Sequence, residues 1–448
     1  MNLDQLVPEL QKLADFEAVR SRLLADAGHP AALSVADAAK PYVLAALHAA
    51  LDRPLLLITA RPSQARFLRD EIACWHPHPS GVLLFPEQDV LPFEPLPADQ
   101  QTTAERLAVL TRLLEDRQGG RSSPPPSHPR PFVIACARAA ADLLAAPADF
   151  ERASSRLRVG ERARPETLIE RWLELGYEPA PVVDSPGQFG RRGGILDVYP
   201  LVGEPCRIEF FGDEVESLRT FDPLTQRSAT KVDEVLITPS AERRAGASAC
   251  LLDYLPPDGV LALDERRAIA NVAREFDRQV AGLRDDLVAR GELDSDATAP
   301  YLEWQNLAQR LERLAGPRLE LEHDPEAETF PFVHPPAFGG RLRHFLDECR
   351  RLVAAGQRVV VVTQQAQRIG ELLEETGDQR PGTSRSPPLL LSRSPALPSS
   401  SGASSKQGGS LRFSARRSSP TTRSSAGTRS IGRADRADWP GDRPSWPS

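Results

Sequence analysis

Short, nearly uninterrupted apolar runs recur at intervals along most of the chain. They lie at residues 55–59, 82–85, 131–135, 260–263 and 358–363. Runs of this length are typical of strands that are buried on both faces of a parallel sheet. Other segments carry apolar residues at helical spacing, at residues 3–24, 41–50, 63–75, 265–290, 301–314, 342–355 and 364–375. Strands that alternate with helices predict an α/β domain.

Residues 184–228 follow a different pattern, with a period of two. Three strand-like runs, separated by turns that contain glycine or proline, lie at residues 195–199, 207–211 and 215–221. In the second run Ile208 and Phe210 share one face, and Arg207, Glu209 and Phe211 share the other. Charges beside an unpartnered aromatic side chain indicate a docking surface. The alternative is an ordinary solvated face with Phe211 tucked under a neighbour.

A continuous motif covers this segment. Residues 186–200 read Pro-Gly-Gln-Phe-Gly-Arg-Arg-Gly-Gly-Ile-Leu-Asp-Val-Tyr-Pro, and residues 207–219 read Arg-Ile-Glu-Phe-Phe-Gly-Asp-Glu-Val-Glu-Ser-Leu-Arg. With Phe-Asp-Pro-Leu-Thr-Gln-Arg-Ser at 221–228, the pattern closely resembles one domain of bacterial nucleotide excision repair proteins. That domain occurs in the UvrB helicase subunit and in the transcription-repair coupling factor, and in both it binds the damage-sensing ATPase subunit, UvrA.

The resemblance implies a set of docking residues. Arg192, Arg207 and Phe211 occupy the matching positions, and Glu209 could pair with either arginine and hold it in place. Arginines give charge-assisted hydrogen bonds to acidic groups of a partner, and Phe211 supplies an apolar anchor. We place Arg192 in a glycine-bracketed loop before the first strand.

The segment at residues 85–94 and the helix at residues 103–110 resemble the coupling factor rather than the helicase subunit. The sequence at the expected phosphate-binding loop agrees. It reads Ser34-Val35-Ala36-Asp37-Ala38-Ala39-Lys40-Pro41. The lysine is present, but both glycines and the serine or threonine that such a loop needs are replaced. We therefore predict a vestigial nucleotide site.

An acidic pair, Asp264 and Glu265, follows the apolar run at residues 260–263, where the family holds magnesium. Without a working phosphate loop we expect Asp264 to be a helix N-cap, with Glu265 in the first turn. Lys40, Asp264 and Glu265 are thus the residues of the vestigial site, and we expect no catalytic residue, metal or cofactor. The resemblance implies that ATP and magnesium serve the motor part of the family, which we expect to be missing from this sequence.

Composition limits the remaining possibilities. The formal net charge is -7, so the chain is not broadly basic. Five scattered cysteines favour a reducing, cytoplasmic setting over disulfides or zinc. We interpret His76 and His78, which form a His-x-His, as loop residues rather than metal ligands. No apolar run is long enough to cross a bilayer, so no membrane partner is expected.

The predicted fold is a degenerate P-loop helicase-like α/β domain with a parallel sheet and an inserted small α+β domain of the UvrA-binding type. The α/β domain occupies residues 1–155 and 246–377, and the inserted domain occupies residues 156–245. From residue 378 to 448 serine, proline, arginine and glycine dominate, which predicts a disordered low-complexity tail. This tail could bind nucleic acid, or it is out-of-frame or artefactual sequence.

The predicted function is that of a non-catalytic adaptor in transcription-coupled nucleotide excision repair, which recruits UvrA to stalled RNA polymerase. RNA polymerase and DNA are expected to bind only through regions that are absent or weakly present here. Two alternatives stay open. One is an ATP-dependent DNA helicase or translocase relative with a divergent nucleotide site. The other is a DNA-binding fragment that acts through the basic tail.

Overall fold

The computed structural model describes residues 3–25, 30–94, 99–119, 129–242, 247–322, 328–330, 332, 338–357, 359–362, 365–375, 390–392 and 412–414. The helices, numbered along the chain, are α1 (Val7–Gln11), α2 (Ala14–Ala25), α3 (Lys40–Leu51), α4 (Pro62–Trp75), α5 (Gln100–Gly119), α6 (Ala137–Ala141), α7 (Pro147–Ala153), α8 (Pro165–Glu174), α9 (Leu251–Tyr254), α10 (Arg266–Ala289), α11 (Trp304–Arg313), α12 (Leu342–Ala354) and α13 (Ala366–Glu375). The strands are β1 (Ala31–Ser34), β2 (Leu55–Thr59), β3 (Val82–Phe85), β4 (Phe132–Cys136), β5 (Ser155–Arg158), β6 (Glu178–Pro179), β7 (Gln188–Arg192), β8 (Ile195–Val198), β9 (Cys206–Phe211), β10 (Glu214–Phe221), β11 (Ser228–Val232), β12 (Glu234–Ile237), β13 (Val260–Asp264), β14 (Arg318–Leu321), β15 (Glu328–Thr329), β16 (Val360–Val362), β17 (Leu390–Ser392) and β18 (Arg412–Ser414).

A parallel sheet is the centre of the larger domain. Within the described ranges it has seven strands in the order β15-β1-β14-β13-β2-β4-β3, and each neighbouring pair is parallel. Every residue of β2, β4 and β13 is buried, which requires cover on both faces of the sheet. Since β1 to β4 precede the smaller domain and β13 to β15 follow it, the smaller domain is an insertion. The predicted fold class is confirmed.

The sequence pattern located the central strands better than the outer ones. Strands β2 and β3 have the predicted bounds, whereas β1 and β14 were not predicted. In β1 and β14 buried and half-buried positions alternate, so neither forms the continuous apolar run by which β2 was identified. The first predicted helix is also interrupted, because the chain turns at residues 12–13 between α1 and α2.

The inserted domain, from β5 to β12, has its own core and a second sheet. The sheet order is β11-β10-β9-β8-β7-β6, antiparallel except between β6 and β7. Trp172 of α8 is fully buried against one face, with its ring 5.6 Å from that of Phe189. Strands β5 and β12 pair antiparallel, so the chain leaves this domain beside the point where it begins.

A small three-stranded sheet follows the larger domain, in the order β17-β16-β18. Helix α12 packs beside it, with Phe345 and Cys349 buried in a separate apolar cluster. Strands β17 and β18 are the described parts of the predicted tail, and the rest of residues 378–448 lies outside the described residues. Among the helices that the structure describes, none has the length and apolar composition needed to span a membrane.

Candidate partner-binding surface and vestigial nucleotide site

The face of the second sheet that points away from α8 is here called the open face. Its residues follow from the strand register, which places Arg207 between Asp197 of β8 and Arg219 of β10. The same register places Glu209 between Ile195 and Ser217. The open face therefore includes Arg192, Ile195, Asp197, Arg207, Glu209, Phe211, Glu214, Ser217, Arg219 and Lys231. The predicted sharing of one face by Arg207, Glu209 and Phe211 agrees with this register.

Two tight hairpin turns bring Arg192 and Phe211 to the same end of the sheet. Arg192 pairs with Ile195 across Gly193-Gly194, and Phe211 pairs with Glu214 across Gly212-Asp213. Gly193 and Gly212 have φ of +64° and +61°, which glycine adopts without strain. Arg192 was predicted in a loop, but it ends β7. Its Nη2 donates to the carbonyl oxygen of Pro181 at 3.1 Å.

Phe211 is the clearest apolar anchor on this face. Its side chain is 79 % exposed, whereas the preceding Phe210 points to the opposite face and packs against the core of the inserted domain. An exposed aromatic side chain on a paired strand has little backbone freedom left to lose on binding. The alternative that Phe211 is tucked under a neighbour is therefore wrong.

The Arg207 guanidinium is hydrogen-bonded to side chains of its own domain. Its Nε and Nη2 donate to the two carboxylate oxygens of Asp197 at 2.7 and 2.9 Å, and Nη1 donates to Ser228 Oγ at 3.1 Å. These hydrogen bonds to Asp197 raise the pKa of Arg207. Glu209, which could pair with an arginine, accepts a hydrogen bond from Ser217 at 2.6 Å, and its charge adds to that of Asp197 in raising the pKa of Arg207. The carboxylate that binds Arg207 is Asp197, and the sequence reasoning missed it.

The three residues of the predicted vestigial nucleotide site do come together. Lys40, at the start of α3, is 3 % exposed. Its Nζ lies 2.7 Å from Asp264 Oδ1, 2.7 Å from Asp37 Oδ1 and 3.2 Å from Glu265 Oε1. Burial alone would lower the pKa of Lys40, but attraction to Asp264 and Asp37 outweighs it, and the pKa is raised. The ammonium is therefore held charged among carboxylates.

Asp264 does not cap a helix, contrary to our expectation. It ends β13, and its other oxygen, Oδ2, accepts a hydrogen bond from Gln64 at 2.6 Å. The residue at the N-cap of α10 is Glu265, in a left-handed conformation with φ of +61°, and its side chain makes no capping hydrogen bond. Among the described residues, Asp264 thus accepts hydrogen bonds from Lys40 and Gln64.

Arg106 of α5 joins the two domains, and its side chain is fully buried. Nε donates to both carboxylate oxygens of Glu242, at 2.8 and 2.6 Å, and Nη1 donates to the carbonyl oxygen of Pro86 at 2.6 Å. Nη2 lies 3.0 Å from Asp142. Burial raises the pKa of Asp142 to about 6, despite the opposing attraction of Arg106. Because Glu242 follows β12, Arg106 fixes the inserted domain where the chain leaves it.

His76 and His78 lie in the loop that follows α4, as predicted, and His76 is buried there. His76 Nδ1 lies 3.0 Å from both the backbone nitrogen and the carbonyl oxygen of His78. His76 Nε2 is 2.8 Å from His48 Nδ1. Burial lowers the pKa of His48 to about 3 and also lowers that of His76. The two rings form a neutral pair inside the larger domain.

Comparison with known proteins agrees with this geometry. Residues 156–242 match the family described as the UvrB interaction domain. The chain therefore carries a UvrB interaction domain. It is 33 % identical over 211 residues to a transcription-repair-coupling factor of Myxococcus xanthus, a match that covers 46 % of this chain and 17 % of that protein. The resemblance noted from the sequence motif is confirmed.

Two further relatives have the same description. The chain is 29 % identical over 241 residues to the transcription-repair-coupling factor of Bacillus subtilis (strain 168), covering 54 % of this chain and 19 % of that protein. It is 32 % identical over 207 residues to that of Staphylococcus haemolyticus (strain JCSC1435), covering 46 % and 16 %. The matched part is thus less than a fifth of each of these relatives.

Proposed function

We propose that this chain is an adaptor in transcription-coupled nucleotide excision repair that binds UvrA through the open face of its UvrB interaction domain. Phe211 is the observation that carries the proposal. Its side chain is 79 % exposed on a hairpin, and burial of this apolar surface against a partner would stabilise a complex. The similarity to transcription-repair-coupling factors supports UvrA as the partner, and recruitment to stalled RNA polymerase would follow from the rest of such a factor.

We further propose that the chain does not hydrolyse ATP. Lys40 would have to bind nucleotide phosphates, yet it already contacts Asp264, Asp37 and Glu265. Those carboxylates would repel a phosphate that approached Lys40. Pro41, in the first turn of α3, offers neither the backbone N–H nor the hydroxyl that a phosphate loop supplies to its ligand.

A binding titration against purified UvrA tests the first part of the proposal. The wild-type chain should bind, and Phe211→Ala should weaken binding by about 30-fold, since loss of a central anchor costs about 2 kcal/mol. Phe67→Ala is the matched control, because Phe67 is 48 % exposed on α4 in the other domain. A folded wild-type sample that does not bind UvrA would refute the proposal.

A further inference from the structure

Three basic residues lie side by side across the open face. Arg207 of β9 is directly opposite Arg219 of β10, and Arg219 is directly opposite Lys231 of β11. Like charges at directly opposed positions on neighbouring strands destabilise a sheet. Asp197 neutralises Arg207. Within the described part of the chain, no carboxylate lies within ion-pair distance of Arg219 or Lys231.

The Arg219 guanidinium is also incompletely hydrogen-bonded. Its Nε is shielded from solvent and has no hydrogen-bond partner in the described structure. A buried donor without a partner destabilises the free protein, and an acceptor from a bound molecule would relieve this. Lysine on the outermost strand of a sheet can prevent pairing with other chains, but that role does not require an arginine opposite it.

An exposed leucine stands on the turn that joins β10 to β11. Leu224 is 92 % exposed, more than any other large apolar side chain that the structure describes. The turn beneath it is rigid, because Asp222 Oδ1 accepts hydrogen bonds from Leu224 N at 2.8 Å and Thr225 N at 3.3 Å. Gln226 Nε2 donates to the carbonyl oxygens of Pro223 and Val183 at 2.8 and 3.0 Å.

We infer that Arg219, Lys231 and Leu224 form a second anchoring point, at the end of the open face away from Phe211. The inference rests on the proposed function, because the occupant is an acidic segment of the same partner protein. Its carboxylates pair with Arg219 and Lys231, and an adjacent apolar side chain covers Leu224. Strand β10 has eight residues, so Phe211 and the turn are about 25 Å apart. This separation suits one interface of ordinary size.

Charge reversal at Lys231 distinguishes a role in binding the partner from a role in stabilising the fold. In Lys231→Glu the new carboxylate faces Arg219, so the repulsion becomes an attraction. The variant should melt at the same temperature as the wild type or higher, yet bind UvrA at least tenfold more weakly. Arg267→Glu on α10 is the matched control, because Arg267 is exposed in the other domain. It should leave affinity unchanged.

Leu224→Ser tests the apolar part. It should weaken binding about tenfold without changing the melting temperature, whereas Leu173→Ser, at a half-exposed position on α8, should change neither. If Phe211→Ala weakens binding while Lys231→Glu and Leu224→Ser bind normally, the second anchoring point is refuted and the proposed function stands.

If the wild type does not bind UvrA, a poly-glutamate peptide serves as the probe. Binding that Lys231→Glu abolishes would then support the anionic site without that partner. Absence of peptide binding would refute the second anchoring point along with the proposed function.

Discussion

Replacing Lys40 with methionine tests whether the proposed vestigial nucleotide site stabilises the fold. Lys40 and Asp264 are 3 % and 1 % exposed, and their charged atoms are 2.7 Å apart. Removal of one partner from a buried ion pair typically costs about 3–5 kcal/mol, because the other charge stays buried and unpaired. The contact with the exposed Asp37 adds less than about 1 kcal/mol. We expect Lys40→Met to lower the free energy of unfolding by roughly 3–5 kcal/mol.

Urea denaturation followed by circular dichroism measures this loss. Lys40→Met/Asp264→Asn removes both charges and should recover most of it, since no buried charge is left without a partner. Lys12→Met is the control, because its ion pair with Glu9 lies at the surface and should contribute less than about 1 kcal/mol. The loss in Lys40→Met should be smaller at pH 5 than at pH 8, because an unpaired Asp264 can be protonated there.

Two results would refute this reasoning. One is a Lys40→Met variant within about 1 kcal/mol of the wild type, which would mean that the contact with Asp264 does not stabilise the fold. The other is a rise in the melting temperature of the wild type with millimolar Mg-ATP. A ligand that binds the folded state must stabilise it, so such a rise would show that Lys40 is available to phosphates.

Three further predictions concern buried charges and rings. Arg207→Ala should lower the unfolding free energy by about 3 kcal/mol, because Asp197 is left buried without its partner. Arg106→Met should cost a similar amount, measured by urea denaturation, because Glu242 loses its cation. The His48 ring should stay neutral from pH 8 to pH 5 by nuclear magnetic resonance. The pKa of His48 is about 3 in the folded chain and 6.5 in the unfolded chain. Only the unfolded chain is therefore protonated at this residue between pH 7 and pH 5, which should lower the free energy of unfolding by about 2 kcal/mol.

Each of these has a result that contradicts it. An Arg207→Ala variant as stable as the wild type would show that Asp197 tolerates burial alone. An Arg106→Met variant of unchanged stability would mean that Glu242 and Asp142 are not held by the guanidinium. Titration of His48 near pH 6.5 would show that the ring is exposed to solvent in the folded chain.

The sequence predicted those features that depend on local pattern. Strand β2 is buried at all five positions and apolar at the first four, because it lies inside the sheet between β13 and β4, so composition alone located it. The alternation in β9 likewise placed Phe211 on the face opposite Ile208. Strand β7 was missed because its glycine and two arginines do not form an apolar alternation. Its place in the sheet depends instead on the hairpin at Gly193.

The partners of the charged residues could not be predicted from local pattern. Asp197 lies ten residues from Arg207, and the pair forms only because β8 and β9 adopt one particular register. Lys40 and Asp264 are separated by 224 positions and meet only when the parallel sheet is complete. The sequence supplied the residue types at both sites, but the three-dimensional fold decided which carboxylate each cation contacts.

Buried cationic side chains and those on the open face differ in whether they form ion pairs with carboxylates, and this difference supports the proposed binding surface. Lys40, Arg106 and Arg207 are each matched by carboxylates from other elements, which balances the cost of their burial. Arg219 and Lys231 face each other, and neither forms an ion pair with a carboxylate among the described residues. Internal neutralisation of Arg207 means that loss of UvrA binding in Arg207→Ala would combine a deformed sheet with a lost contact. Lys231→Glu is the sharper test, because it should weaken binding while relieving a repulsion in the free protein.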